Sequence, residues 1–165
     1  MESHIFIAGP SASGKTTLAV EVARRLGVPC LSLDDMFIRG AKAFVDTPSG
    51  PVRTFERPEL YDGAKLSMRV FNSPSKRVVE GFCLFAYPAI MDLPGVRFYV
   101  DVPFEVCLER RMARRPHRPS DRSFALVGRQ ENDTFVLPQK TAPGVMVLDG
   151  LKPPSELVEE VLRSL

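Results

Sequence analysis

An apolar run, a glycine-bracketed turn and an amphipathic helix follow one another without a break in "HIFIAGPSASGKTTLAVEVARRLG", residues 4 to 27, and few folds accept that order. Gly9 and Gly14 stand where chain order is about to be established on either side, and glycine costs order in a strand or helix, so both positions point to backbone that other residues adopt reluctantly. Lys15 follows directly and, so close to an apolar run, needs a partner of opposite charge. Leu18, Val22 and Leu26 share a face, arginines occupy the last turn and Gly27 is placed to cap the end. A strand that turns through glycines into a helix opens a parallel α/β unit.

Four more short runs repeat the strand signal: "PCLSL" at 29 to 33, "KRVVE" at 76 to 80, "VRFYVDV" at 96 to 102 and "GVMVLD" at 144 to 149. Each is of strand length and rich in valine, isoleucine or phenylalanine, as strands buried on both faces are. Helical patterns alternate with them. "PFEVCLERRMARR" offers Phe104, Cys107, Leu108 and Met112 as one apolar stripe, and "PPSELVEEVLRSL" has Leu157, Val161 and Leu165 four apart behind two prolines. The expectation is one α/β domain with a mostly parallel, five-stranded sheet. Residues 38 to 58 and 116 to 143 break the alternation, being rich in proline and polar side chains without periodicity, and read as long functional or mobile loops.

With 44% hydrophobic residues in 165, the chain can bury a real core without disulfide support. A net charge of +2 argues against a chain devoted to nucleic acid. Cys30, Cys83 and Cys107 are widely separated among apolar neighbours, which fits neither a disulfide framework nor a zinc spacing. The start lacks a basic region followed by a long apolar run, and no segment approaches the length that crosses a membrane. A cytoplasmic protein is expected.

"GPSASGKT", Gly9 to Thr16, satisfies G-x-x-x-x-G-K-[ST] between a strand and a helix, the context that gives this motif its meaning. Glycines let the loop curl so that backbone N–H groups of Gly9, Ser11, Ala12, Ser13 and Gly14 and the helix N-terminus face a polyanion. Lys15 then reaches the outer phosphates, the Thr16 hydroxyl holds Mg²⁺, and Thr17 joins the nucleotide-binding set while packing or capping the helix. Asp34 and Asp35 in "LSLDDMF" follow the second strand at the carboxyl edge of the sheet, where a carboxylate can accept the proton of an attacking hydroxyl; a helix cap is the alternative reading. Glu80 ends the third run, placed either to hold Mg²⁺ or to stand as an exposed strand end. The arginines of "ERRMARRPHRPSDR", Arg110, Arg111, Arg114, Arg115, Arg118 and Arg122, lie in a span whose prolines stop the helix near Arg115. They read as a lid over transferring phosphate, because single-strand nucleic-acid surfaces interleave aromatics and only Phe124 lies nearby.

Taken in order, "GPSASGKTT", "LSLDDMF", "FERPELYD", "VVEGFCLFAYPAI", "FYVDVPFEVCLERRMARR" and "VMVLDG" resemble the uridine kinase and nicotinamide riboside kinase group of P-loop kinases, with the nicotinamide riboside branch nearer in "DDMF" and "EGFCLF". The resemblance implies a three-layer P-loop NTPase fold over residues 1 to 165, an acceptor-side insertion at about 38 to 75 and an arginine-rich lid at about 110 to 128. It also implies transfer from ATP, with Mg²⁺, to a hydroxyl of a nucleoside-like acceptor. Asp34 matches the base, Glu80 the strand-end carboxylate, and Arg111 and Arg114 the lid arginines. Glu56 or Asp62 meets acceptor hydroxyls, and residues 148 to 152 lie beside the adenine. Phe37, Phe44, Phe55 and Tyr61 are candidates to stack on the acceptor, with Arg39 and Arg57 available to an acidic one. The chain departs from the uridine kinases at "ERPE", which leaves sugar, vitamin or antibiotic hydroxyls open as acceptors. A regulatory ATPase without a small acceptor is the rival from another class, and the lack of an N-K-x-D motif disfavours a GTPase.

Overall fold

The structure is a computed structural model that describes residues 3–114 and 116–165. In chain order the strands are β1 (His4–Ala8), β2 (Cys30–Ser32), β3 (Ala43–Thr47), β4 (Gly50–Thr54), β5 (Val78–Gly81), β6 (Gly95–Asp101) and β7 (Val145–Asp149). The helices are α1 (Lys15–Leu26), α2 (Gly63–Phe71), α3 (Pro88–Met91), α4 (Phe104–Ala113), α5 (Pro119–Glu131) and α6 (Pro154–Arg163). Five strands form one parallel sheet in the order β2-β5-β1-β6-β7.

Strand β1 lies at the centre with all five residues buried. Its alternate side chains feed two separate cores, as the two-residue period of a strand requires. Ile5 and Ile7 pack with Leu18 and Val22 of α1, Cys107 of α4 and Val161 of α6. Phe6 and Ala8 face the other way, toward Leu66 and Val70 of α2 and Ile90 of α3. Helices on both faces of a parallel sheet give the three-layer α/β architecture expected from the alternating runs, and the five sheet strands fall where the apolar runs lie.

Two stretches differ from expectation. Residues 38 to 58 contain the antiparallel hairpin β3–β4, turned through Pro48 and Ser49. Its alternation is present but short: Ala43 and Val45 point inward while Phe44 and Asp46 point out, and the prolines and glycines around them mask it. Within 116 to 143, Pro119 opens α5 instead of breaking a helix, since proline at the first helical position forfeits no hydrogen bond. Phe124, Val127, Gly128 and Glu131 line its buried side. The helix runs on through a wide turn at Asn132–Val136 and a tight one at Leu137–Thr141. Helix α4 ends at Ala113 with Arg114 as its cap; Arg115, near which the sequence places the stop, lies outside the described residues.

Among the described residues the three cysteines are free and no helix is long and apolar enough to cross a membrane.

Candidate active site

The loop between β1 and α1 has the backbone that its glycines foretell. Gly14 sits at φ 89° and caps α1, and Ala12 takes φ 65°, a left-handed conformation that costs a residue with a side chain about 1–3 kcal/mol. At Gly9 a Cβ would meet the Val100 carbonyl oxygen at 2.8 Å, so only glycine lets the loop pass over β6. Lys15 is buried, its Nζ donates weakly to the Pro10 carbonyl at 3.4 Å, and no carboxylate of the described residues lies within salt-bridge range of it. Ser13 Oγ is likewise buried without a hydrogen-bond partner. A buried lysine without a carboxylate partner and an orphaned hydroxyl in the same loop leave polar groups that an anion can satisfy, and the amides at the start of α1 supply the rest of such a cradle.

Next to the loop stand two carboxylates of different character. Glu80, at the end of β5, is buried; its Oε2 accepts from Thr16 Oγ1 (3.1 Å) and its Oε1 from Ser32 Oγ (2.5 Å). Ser32 is its lateral neighbour in the β2–β5 register. Asp34 is exposed on the tight turn Leu33–Met36, which the Ser32 hydroxyl caps by accepting from the Asp34 N–H. Asp34 lines the main cavity and Asp35 does not. Burial, with Glu80 and then Asp35 adding repulsion, pushes the Cys30 thiol up to about 11, so this cysteine is no nucleophile.

The main cavity, about 360 Å³, joins these parts. Ser11, Lys15 and Thr16 of the loop and helix start line it together with Asp34 and Glu56. Phe37, Phe55, Tyr61 and Phe82 supply aromatic surface. Tyr61 meets Phe37 and Phe82 edge-on, with ring centres 5.4 and 5.1 Å apart, and its hydroxyl donates to the Phe55 carbonyl at 2.9 Å. Burial, then Glu56 and Asp34, raise the Tyr61 phenol well above its ordinary value, which keeps it a neutral donor. Several expected residues lie elsewhere. Asp62 caps α2 by accepting from the Lys65 N–H at 2.8 Å. Phe44 is exposed on the outer face of β3, Arg39 is exposed, and none of the three lines the cavity. Arg57 is turned away to Glu131 of α5 at 2.9 Å. Arg118, one of the candidate lid arginines, lines the cavity; Phe82 and Ser32 belong to the site without having been singled out, and for both the signal is position at a strand end.

Arg111 departs most from a mobile lid arginine. Its Nη1 donates to Glu56 Oε1 (2.7 Å), its Nε to Asp121 Oδ1 (3.0 Å), and its guanidinium lies 4.3 Å from the centre of the Phe124 ring. The three charged side chains are 6%, 9% and 4% exposed. Ser11 Oγ donates to the second oxygen of Glu56 at 2.8 Å, extending the chain to the phosphate loop. The reason is helical spacing: Phe104, Cys107 and Arg111 are the buried residues of α4, so Arg111 occupies the apolar stripe and requires carboxylates there. Arg114, past the helix end and exposed, lines both the main cavity and a second recess over Gly14 to Thr17. Arg110 Nη1 donates to the Ser13 carbonyl at 3.3 Å. On the far side of the loop a third recess of about 280 Å³ is bounded by Gly14, Leu18, Arg110, Gly150 and Lys152, the segment expected beside a nucleotide base.

A phosphate cradle at a strand–helix junction, carboxylates at neighbouring strand ends and arginines above them define a phosphotransferase of the P-loop class. The motif resemblance to the nicotinamide riboside kinase branch holds in comparison with known proteins. The chain is 26% identical to human nicotinamide riboside kinase 2 across its whole length and 81% of that protein. Among solved structures it is similar to a gluconokinase from Sinorhizobium meliloti, with TM-score 0.66, 20% identity and coverage of 98% of this chain and 90% of that one. A shikimate kinase from Bacteroides thetaiotaomicron gives TM-score 0.64, 17% identity and 99% coverage of both chains. These structures speak to the fold. No family model matches the chain.

Proposed function

We propose that this protein is an ATP-dependent small-molecule kinase that transfers the γ-phosphoryl group to a hydroxyl of a nucleoside-like acceptor. The observation that carries the reading is that one cavity is lined together by the phosphate loop (Lys15 and Thr16), by an uncommitted carboxylate (Asp34) and by aromatic rings (Phe37, Tyr61 and Phe82). An edge-packed aromatic wall suits a planar ring better than an open-chain polyol.

In this reading ATP extends from the recess at Gly150 and Lys152 over the loop, with its outer phosphates on Lys15 and the loop amides. Thr16 and Glu80 form a hydroxyl–carboxylate pair suited to Mg²⁺, a hard cation that takes one or two protein oxygens together with phosphates. When bound, Mg²⁺ neutralises charge on the phosphate oxygens. Asp34 accepts the proton of the acceptor hydroxyl, and Glu56 offers its remaining lone pairs to neighbouring hydroxyls. Arg114, exposed at the cavity beside Arg118 and held by a long contact to Asp121 (3.8 Å), is the arginine assigned to the transferring group, while Arg111 is held by buried carboxylates. Catalysis is then positioning and electrostatics, without a covalent enzyme intermediate.

The test is ATP consumption by purified protein with Mg²⁺ against nucleosides, nicotinamide riboside, sugars and vitamins, with the phosphorylated product read by mass. Turnover on a nucleoside or nicotinamide riboside supports the reading. Turnover confined to sugars or vitamins keeps the transfer chemistry and overturns the acceptor class. ATP binding with no product from any alcohol overturns the kinase reading in favour of a regulatory nucleotide-binding protein.

A further inference from the structure

One hydroxyl joins the Glu80 carboxylate to the turn that bears Asp34. Ser32 Oγ has a single proton and two lone pairs; it donates the proton to Glu80 Oε1 at 2.5 Å and accepts from the Asp34 backbone N–H at 3.2 Å. Ser32 is the last residue of β2, directly beside Glu80 in the sheet register, and Asp34 follows two residues later on the turn that Ser32 caps. Glu80 is therefore held from two sides, by Ser32 on Oε1 and by Thr16 on Oε2. Thr16 is the hydroxyl that a cation would engage. Ser32 is the partner that remains when Thr16 turns away.

We propose that Ser32 is a positioning residue that fixes the Glu80 carboxylate against Thr16 and, through the same oxygen, the turn bearing Asp34, so that the cation-binding carboxylate and the proton acceptor keep one spacing. Its catalytic half rests on the kinase reading; its cation half does not. Without the Ser32 hydroxyl, the buried Glu80 keeps one donor only and turns toward whichever partner remains, and the Asp34 N–H loses its acceptor. Loss of a hydrogen bond that orients a metal-binding group typically costs about 10- to 100-fold in metal affinity or activity.

The experiment compares the parent with Ser32→Ala and Ser32→Thr, the second keeping a hydroxyl on a β-branched side chain that suits a strand. Thermal unfolding first checks that each variant is folded. Binding of a fluorescent ATP analogue is then titrated in EDTA and across Mg²⁺ concentrations, Mn²⁺ binding is followed by electron paramagnetic resonance with a non-hydrolysable nucleotide, and kcat is measured on whichever acceptor turns over. Ser32→Ala is expected to raise the Mg²⁺ and Mn²⁺ half-saturation points about tenfold or more, to leave nucleotide binding in EDTA within about twofold, and to lower kcat; Ser32→Thr restores most of both. Unchanged cation dependence in Ser32→Ala overturns the proposal, as does a loss in EDTA as large as that in Mg²⁺, which marks a merely structural role. Should Ser32→Ala not fold, the cation dependence of Ser32→Cys, which swaps the hydroxyl for a weak donor of similar size, decides: a shift supports the proposal and none overturns it. A cation shift with no product from any acceptor leaves the positioning role standing while the kinase reading falls. Turnover with an unshifted cation dependence does the reverse.

Discussion

Replacing Arg111 by methionine tests whether the lid is held by a buried charge cluster or carries a mobile catalytic arginine. Methionine keeps length and apolar contact with Phe124 but removes the cation that faces both Glu56 and Asp121. Glu56 is then left with Ser11 alone, and Asp121 with the Arg118 N–H and with Arg114 at 3.8 Å. Removing one member of a buried ion pair costs about 3–5 kcal/mol, because the partner's charge stays buried without compensation. For a chain of this size each kcal/mol lowers Tm by about 2–4 °C, so a fall of about 6–20 °C is expected in thermal unfolding at neutral pH. Adding Glu56→Gln and Asp121→Asn to Arg111→Met removes the stranded charges, and the triple variant should recover part of that loss. A single variant that melts within 2 °C of the parent (roughly the effect of 1 kcal/mol or less) while losing turnover would refute the reasoning and return Arg111 to the transferring phosphate.

Arg114→Ala should do the opposite: a melting temperature close to the parent's, since the side chain is exposed, with kcat lowered by about 10³-fold or more if this is the arginine that meets the transition state; full turnover would remove it from the lid. Lys15→Ala and Asp34→Asn should separate binding from chemistry. The first abolishes nucleotide binding measured by calorimetry, and the second leaves it within about threefold of the parent while kcat falls by two or more decades; equal effects on both would contradict the assigned roles. Burial pushes the Asp121 carboxyl up, but the Arg118 N–H and Arg111 outweigh it and hold it below its ordinary range. A lowered folded-state value contributes stability above the unfolded value, about 3.9, that is lost as pH falls through the folded value. The parent should therefore lose melting temperature more steeply below about pH 4 than Asp121→Asn, and identical acid limbs would rule this out.

The parallel sheet was legible because its central strands β1 and β5 are buried throughout and the others, even the partly exposed β7, still read as short apolar runs, from "HIFIA" to "GVMVLD". The hairpin β3–β4 was not, since only Ala43 and Val45 of β3 point inward and turn residues interrupt the pattern. Helix α5 was hidden by Pro119, which reads as a breaker in a linear scan and acts as a helix start in three dimensions. In the site, the loop from Gly9 to Thr17, Asp34 and Glu80 follow from local order: each sits at a strand end or helix start, where sequence position fixes place. Arg111 and Arg57 could not be assigned that way. Their partners Glu56, Asp121 and Glu131 are 55, 10 and 74 residues distant, and charge alone does not say whether an arginine faces solvent, phosphate or a buried carboxylate. Only the spacing of Arg111 from Phe104 and Cys107 carried a hint.

Glu56 and Arg57 are adjacent, and each has a buried partner of the opposite sign: Arg111 for the first, Glu131, 1% exposed, for the second. If the segment slipped by one residue, glutamate would meet glutamate or arginine would meet arginine in places that water scarcely reaches. A chain that follows a hairpin has little else to stop such a slip, since side-chain alternation is the usual guard and here it is short. The alternating pair therefore locks the threading: a frame shifted by one residue brings like charges together in buried places and is disfavoured against the frame in which Phe55 and Tyr61 line the cavity.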